Sequence, residues 1–80
     1  MKFNLWEVIG LADIELLKQK IADSGMTVTA ISKKSGILRE TFYNRLKGSE
    51  FTASEIVALT KTLNLTKEDR DKIFLNEKLN

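Results

Sequence analysis

Side chains that can hydrogen-bond the edge of a DNA base are concentrated in one short run of the chain, residues 39–47. Arginine can donate two hydrogen bonds to guanine, asparagine can pair with adenine, and glutamate can accept from cytosine. Tyrosine can touch a thymine methyl group, stack on a sugar or bond a phosphate. This chemistry makes four residues candidate base contacts: Arg39, Glu40, Tyr43 and Asn44.

Each of these four residues also has an explanation that needs no DNA. Arg39 can grip a phosphate, or form a surface ion pair with Glu40 or another nearby acid. Glu40 can neutralise Arg39 or Lys33. Tyr43 can pack on the domain surface, and Asn44 can lie on a solvated helix face. Residue type alone leaves both sets of explanations open.

Positive charge is concentrated in the same part of the chain. Residues 27–49 contain five basic residues and one acidic residue, a net charge of +4, whereas the whole chain carries +2. Such a cluster is typical of a surface that binds a polyanion, and an ordinary solvated basic face is the alternative. Phosphate contacts set affinity and register rather than sequence preference. The candidates for phosphate contact are Thr27, Thr29, Lys33, Lys34, Thr41, Arg45, Lys47 and Ser49.

The composition argues against an enzyme. Cysteine and histidine are both absent, which excludes disulfides, cysteine nucleophiles, histidine acid–base chemistry and the usual Cys/His zinc sites. The acidic residues Glu68, Asp69 and Asp71 lie at a predicted helix start, where the helix dipole favours acids. We expect no metal, no cofactor and no small-molecule substrate, because so small a helical domain has little room for a deep pocket.

The chain has the composition of one small all-helical domain spanning residues 1–80. It is 42% hydrophobic and 30% charged, and it contains no proline and four glycines, a combination that favours helices. No apolar run approaches the roughly 18 residues of a membrane span. Glu7 interrupts the apolar residues near the N-terminus, so we predict neither a signal peptide nor a membrane protein. A cytoplasmic location is the expectation.

Apolar spacing and capping residues predict five helices. Asn4 with Glu7 forms a capping-box pattern, so residues 5–10 either extend the first helix or form a separate piece broken at Gly10. Three helices are expected over about residues 11–24, 28–35 and 38–47, with Thr27 as the N-cap of the second. The fourth is expected after the Thr52-x-x-Glu55 capping box, and the fifth after the N-cap Thr66.

The apolar stripes of these helices define the expected core. Leu38, Phe42 and Leu46 recur every four residues, so we expect them to share one buried face. The other expected core residues are Ile14, Leu17, Ile21, Ile31, Ile37, Ile56, Leu59 and Leu63.

The apolar residues near the two ends of the chain are harder to place. Residues 73–75 are three adjacent apolar side chains that cannot all face one narrow core, so we expect part of this patch to be exposed. Phe74 and Leu79 are assigned to a dimer surface. Phe3 and Trp6 are assigned to a small satellite core under the chain ends.

Two short predicted helices flank Gly36 within residues 27–47, and the second of them carries the candidate base contacts. This is the arrangement of a helix-turn-helix motif, in which the second helix enters the major groove of DNA. Gly36 suits the turn because glycine adopts a positive φ without steric cost.

The chain resembles the Cro and phage-repressor class of helix-turn-helix proteins, most closely the small regulators of temperate phages of Gram-positive bacteria. The resemblance covers about residues 11–76. It rests on the Gly25-Met26-Thr27 opening, the Ser35-Gly36-Ile37 turn, the run from Arg39 to Lys47, the Phe51-Thr52-x-x-Glu55 pattern and the segment from Leu63 to Thr66.

This resemblance implies a compact five-helix, lambda-repressor-like fold and a sequence-specific regulator of transcription that binds double-stranded DNA. Residues 38–47 would be the recognition helix. A homodimer would bind a two-fold operator with half-sites about 34–36 Å apart. The length of the chain favours a Cro-like or accessory regulator. The alternative is a protein-interaction module on the same scaffold, such as an antirepressor or antitoxin, that does not bind DNA alone.

Four positions depart from the pattern of the family. Val28 occupies a position where the family often has a glutamine, which binds a phosphate and supports the recognition helix. Valine cannot make this polar contact. Ser32 replaces a preferred alanine. Leu38 replaces a Ser or Thr cap, so either the cap is weak or Leu38 is packed. Arg45 replaces an apolar residue, and we expect it to be free for solvent or phosphate because Leu46 takes the core role.

Overall fold

The computed structural model describes residues 12–75 of the chain, and this range is all-helical. It contains five α-helices and no strand. The predictions for Phe3, Trp6, Leu79 and the Asn4–Glu7 capping box fall outside the described residues. The helices are α1 (Ile14–Ser24), α2 (Val28–Ser35), α3 (Arg39–Leu46), α4 (Ala53–Thr62) and α5 (Lys67–Arg70), and α5 continues into a π-helical turn, Asp71–Leu75.

Three predicted threonine caps begin their helices as expected. The hydroxyls of Thr27, Thr52 and Thr66 each accept a hydrogen bond from a backbone N–H three residues on, which satisfies one of the free donors at a helix start. The capping box of Thr52 and Glu55 is complete, with both reciprocal bonds formed. The first helix starts later than predicted, because the Asp13 side chain caps it by accepting from the Leu16 N–H at 3.2 Å.

A single buried cluster holds the helices together. Within it α2 packs against both α3 and α4, whereas α1 packs against the C-terminal turn. The backbone N–H of Asp13 donates to the Ile73 carbonyl at 2.6 Å, and Lys20 pairs with Asp69 at 3.2 Å. The buried members are Leu17, Ile31, Ile37, Phe42, Leu59, Leu63, Leu65, Ile73 and Phe74, and Ile21, Leu46 and Ile56 pack partly buried against them.

The C-terminal aromatic residue is part of this core, which corrects the prediction that it forms a dimer surface. Phe74 is only 8% exposed and packs edge to face on Phe51, with ring centroids 5.2 Å apart. Its neighbour Ile73 is fully buried. Adjacent side chains can both point inward here because a π-helical turn rotates less per residue than an α-helical turn. Neither Ile73 nor Phe74 is therefore the exposed part that the sequence predicts for this patch.

Leu38 corrects the prediction of a continuous apolar stripe along α3. Its side chain is 73% exposed, whereas Phe42 is fully buried and Leu46 is half-buried. Leu38 is the N-cap of α3 and has an extended backbone (φ −60°, ψ 142°), so it does not continue the helical spiral. It makes no side-chain capping bond, which agrees with the weak-cap alternative.

Replacing Leu38 with serine is expected to stabilise the fold by about 0.5–1 kcal/mol, because a serine hydroxyl can accept a free backbone N–H at the start of α3. Little burial is lost, since the leucine is mostly exposed. Urea denaturation of the wild type, Leu38→Ser and Leu38→Ala measures the effect. Equal unfolding free energies for the serine and alanine variants would show that position 38 is not a working N-cap.

Candidate nucleic-acid interface

The predicted base contacts lie together on the exposed side of α3. Successive residues of an α-helix are rotated by about 100°, so these positions fall within one arc, opposite the buried ring of Phe42. Tyr43 is 47% exposed although it is aromatic. The side chains that line one shallow depression on this surface are Arg39, Glu40, Tyr43, Asn44 and Lys47. We call this set the α3 face.

The turn between α2 and α3 is held by hydrogen bonds that fix the direction of α3. Gly36 adopts a left-handed conformation, with φ 81°. The Ser32 hydroxyl donates to the Ile37 carbonyl, and the Ser35 hydroxyl accepts from the Ile37 N–H at 3.1 Å. The buried side chain of Ile37 anchors the turn in the core. The Ser32 hydroxyl therefore helps to fix the turn. The small size of serine alone did not predict this role.

Arg39 is bound to a neutral partner rather than to an acid. Its Nη1 donates to Thr29 Oγ1 at 3.1 Å, which connects the first residue of α3 to α2. Within residues 12–75 neither Arg39 nor Glu40 forms an ion pair, so the predicted surface pairing of Arg39 with Glu40 is not found there. The guanidinium charge is thus uncompensated by any described residue.

The other predicted phosphate contacts differ in exposure and in their partners. Lys33, Lys34 and Lys47 are exposed and form no ion pair with another residue in the described part of the chain. Thr27 and Ser49 are exposed as well, and the Thr27 hydroxyl serves as the α2 cap. Thr41 is half-buried and lines a separate shallow groove together with Leu38, Ser54 and Glu55.

Arg45 is turned away from the α3 face, which corrects the expectation that it is free for solvent or phosphate. Its Nε and Nη2 donate to the two carboxylate oxygens of Glu55 at 2.8 and 3.1 Å. Both side chains are largely covered, with 22% and 14% exposure. The Glu55 carboxylate also accepts from the Thr52 N–H at 2.9 Å. The pair therefore joins α3 to the start of α4 and leaves Arg45 neutralised.

The ion pair between Glu55 and Arg45 makes the stability of the fold dependent on pH. The hydrogen bond from Arg45 holds the pKa of Glu55 below its ordinary value of 4.5, against the opposing effect of partial burial. A lowered pKa in the folded state means that the carboxylate stabilises the fold above its unfolded pKa. This contribution is lost as the pH falls below about 4.5 through the lower pKa of the folded state.

Glu55→Gln is therefore expected to be less stable than the wild type at pH 7, and the difference should shrink as the pH falls below about 4.5. Glutamine can still complete the capping box, so the change removes mainly the charge. Urea denaturation at several pH values measures the effect. The matched control is Glu50→Gln, because Glu50 is exposed and has no ion pair among the described residues. A pH-independent difference would contradict this role of the pair.

Sequence reasoning missed two features of this surface. The first is the bond between Arg39 and Thr29, because residues ten positions apart on two helices give no local signal. The second is the exposed side chain of Leu38 beside the start of α3. Val28, whose position often holds glutamine in the family that the sequence resembles, is half-buried and packs against the core. Position 28 therefore supplies no polar contact to α3.

Within residues 12–75, no group of three or more acidic side chains is arranged to hold a metal ion. No helix in this range is both long and apolar enough to cross a bilayer.

The chain matches no protein-family model, no curated protein and no solved structure.

Proposed function

We propose that this protein is a sequence-specific, double-stranded DNA-binding regulator of transcription. The observation that carries the proposal is the composition of the α3 face, where side chains that can hydrogen-bond base edges lie together on the exposed side of one helix. That helix is held by the buried Phe42 and by the hydrogen-bonded turn at Gly36. A recognition helix of this kind reads base edges in the major groove through its N-terminal residues.

The electrostatics of the surrounding surface favour the same proposal. Lys33, Lys34, Arg39 and Lys47 are exposed and are not paired with acids within residues 12–75. Unpaired cations next to a recognition helix can release counterions from DNA phosphates, which makes binding strong at low salt and weak at high salt. These lysines would set affinity, whereas Arg39 and Asn44 would set sequence preference.

A dimer is part of the proposal because one helix reads only a few base pairs, which is too little to find a site in a genome. Two copies on a two-fold site would place their α3 helices in successive major grooves, about 34–36 Å apart. Phe74 is not available for the contact between copies, since it is buried within one chain. Solution mass with and without DNA tests this part of the proposal.

Selection from random DNA followed by gel-shift titration tests the function. We expect enrichment of a two-fold symmetric site. We also expect binding to this site to exceed binding to random DNA by at least about 10³-fold, with a steep dependence on salt. Failure to enrich any site would overturn the proposed sequence specificity, and absence of binding at low salt as well would overturn DNA binding altogether.

A second candidate function is favoured by two observations. Arg45 is neutralised by Glu55, and Leu38 and Val57 are exposed apolar side chains. Those features suit a helix-turn-helix scaffold that binds another protein, such as an antirepressor or antitoxin. The discriminating measurement is whether the purified protein binds DNA alone, or only together with a partner.

A further inference from the structure

We propose that Thr29 is a positioning residue for Arg39, and that it orients the guanidinium to read guanine. This inference rests on the proposed function. The Thr29 hydroxyl on α2 accepts the Nη1–H of Arg39 on α3 at 3.1 Å. Among the side-chain hydrogen bonds within residues 12–75, it is the one that joins the side chains of the two motif helices.

The chemistry of the partner matters as much as the distance. A carboxylate would hold an arginine and also cancel its charge, as Glu55 does for Arg45 on the same helix. A hydroxyl holds the guanidinium and leaves its full positive charge in place. Arg39 thus remains attractive to a polyanion while its direction is restricted.

The bond with Thr29 leaves enough donors for a base. A guanidinium has five N–H donors in a fixed planar fork, and one of them is used here. The free N–H groups can still donate two parallel bonds to guanine O6 and N7. An exposed arginine otherwise samples many rotamers, and fixing its direction before binding reduces the entropy that binding must remove.

This role differs from the phosphate contact that the sequence predicts for Thr29. A residue that binds only phosphate affects every DNA sequence alike, whereas a residue that orients Arg39 affects the preference for guanine. The two roles therefore predict different changes in the ratio of specific to random DNA binding.

The test uses the duplex recovered by selection from random DNA, with each guanine replaced in turn by 7-deazaguanine, which lacks the N7 acceptor. For the wild type, we expect one replacement per half-site to weaken binding about tenfold. Thr29→Val keeps the branched shape but removes the acceptor. It should reduce that penalty to about threefold or less and leave binding to random DNA unchanged. Thr29→Ser should restore the wild-type penalty.

Two further variants make the test specific. In an Arg39→Ala background, Thr29→Val should have no additional effect on discrimination, because the group that it positions is gone. Thr62→Val, the same hydroxyl-to-methyl change on α4, should leave the guanine penalty unchanged. Circular dichroism confirms that each variant is folded, and the exposure of Thr29 favours this.

The outcomes separate this inference from the proposed function. If Thr29→Val keeps the full wild-type penalty, or weakens specific and random DNA equally, Thr29 does not position Arg39 although the protein still reads DNA. If the selected site contains no guanine that is sensitive to 7-deaza replacement, the inference is also overturned. Absence of any sequence preference in the wild type overturns both.

Discussion

Phe42→Ala is expected to lower the free energy of unfolding by about 3–5 kcal/mol, a large share of the total. The ring of Phe42 is fully buried in the core cluster, on the inner side of α3. Truncating a buried phenylalanine to alanine costs about 3–5 kcal/mol. A domain of this size has about 4–12 kcal/mol of stability in total, and no disulfide adds to it, since the chain contains no cysteine. Circular dichroism with thermal and urea denaturation measures the loss.

Tyr43→Ala is the matched control for Phe42→Ala. It removes a neighbouring aromatic ring on the same helix, but that ring is 47% exposed. Exposed substitutions usually change stability by about 0.5 kcal/mol or less. Equal instability of the two alanine variants would show that α3 does not present Phe42 inward and Tyr43 outward.

Arg39→Ala is expected to remove most of the preference for the selected site over random DNA. An arginine that donates two bonds to guanine contributes about 1–3 kcal/mol of discrimination, equivalent to about 5- to 150-fold for each half-site. Stability should change little, since Arg39 is exposed and its one described side-chain bond is to the exposed Thr29. Competition binding with specific and random duplexes at a fixed salt concentration measures the ratio.

Two further variants separate base reading from charge at Arg39. Arg39→Lys keeps the charge but loses the planar fork, so it should lose discrimination while retaining binding to random DNA. Lys34→Ala should weaken specific and random binding alike and reduce the salt slope by about one. If Arg39→Lys keeps the wild-type ratio, Arg39 contacts phosphate rather than a base.

The local elements of the fold were predictable from the sequence because their signals lie within a few residues. The caps at Thr27, Thr52 and Thr66 form as predicted, and Gly25 and Gly36 both take the left-handed conformation that ends a helix. Side-chain capping needs only a hydroxyl three residues before a free N–H, so sequence spacing is sufficient to place it.

Contacts between helices were less predictable because they depend on how the helices are placed. Arg45 lies on the opposite side of α3 from the exposed arc, a position that the helical rotation per residue indicates. Its partner Glu55 lies on another helix and is identified only by the fold. Leu38 follows the four-residue spacing of Phe42 and Leu46, but the extended backbone at the cap breaks the spiral. Ile73 and Phe74 are both buried because they lie in a π-helical turn, which the apolar pattern does not predict.

The most direct measurement of the central claim is a nuclear magnetic resonance titration of the isotope-labelled protein with the selected duplex, or with a random duplex at low salt if none is selected. We expect the largest changes at the signals of the α3 face and of the exposed lysines of α2. Signals from α1 and α5 should change little. Changes concentrated on α1 or α5, or no change with either duplex, would contradict the claim that the α3 face binds DNA.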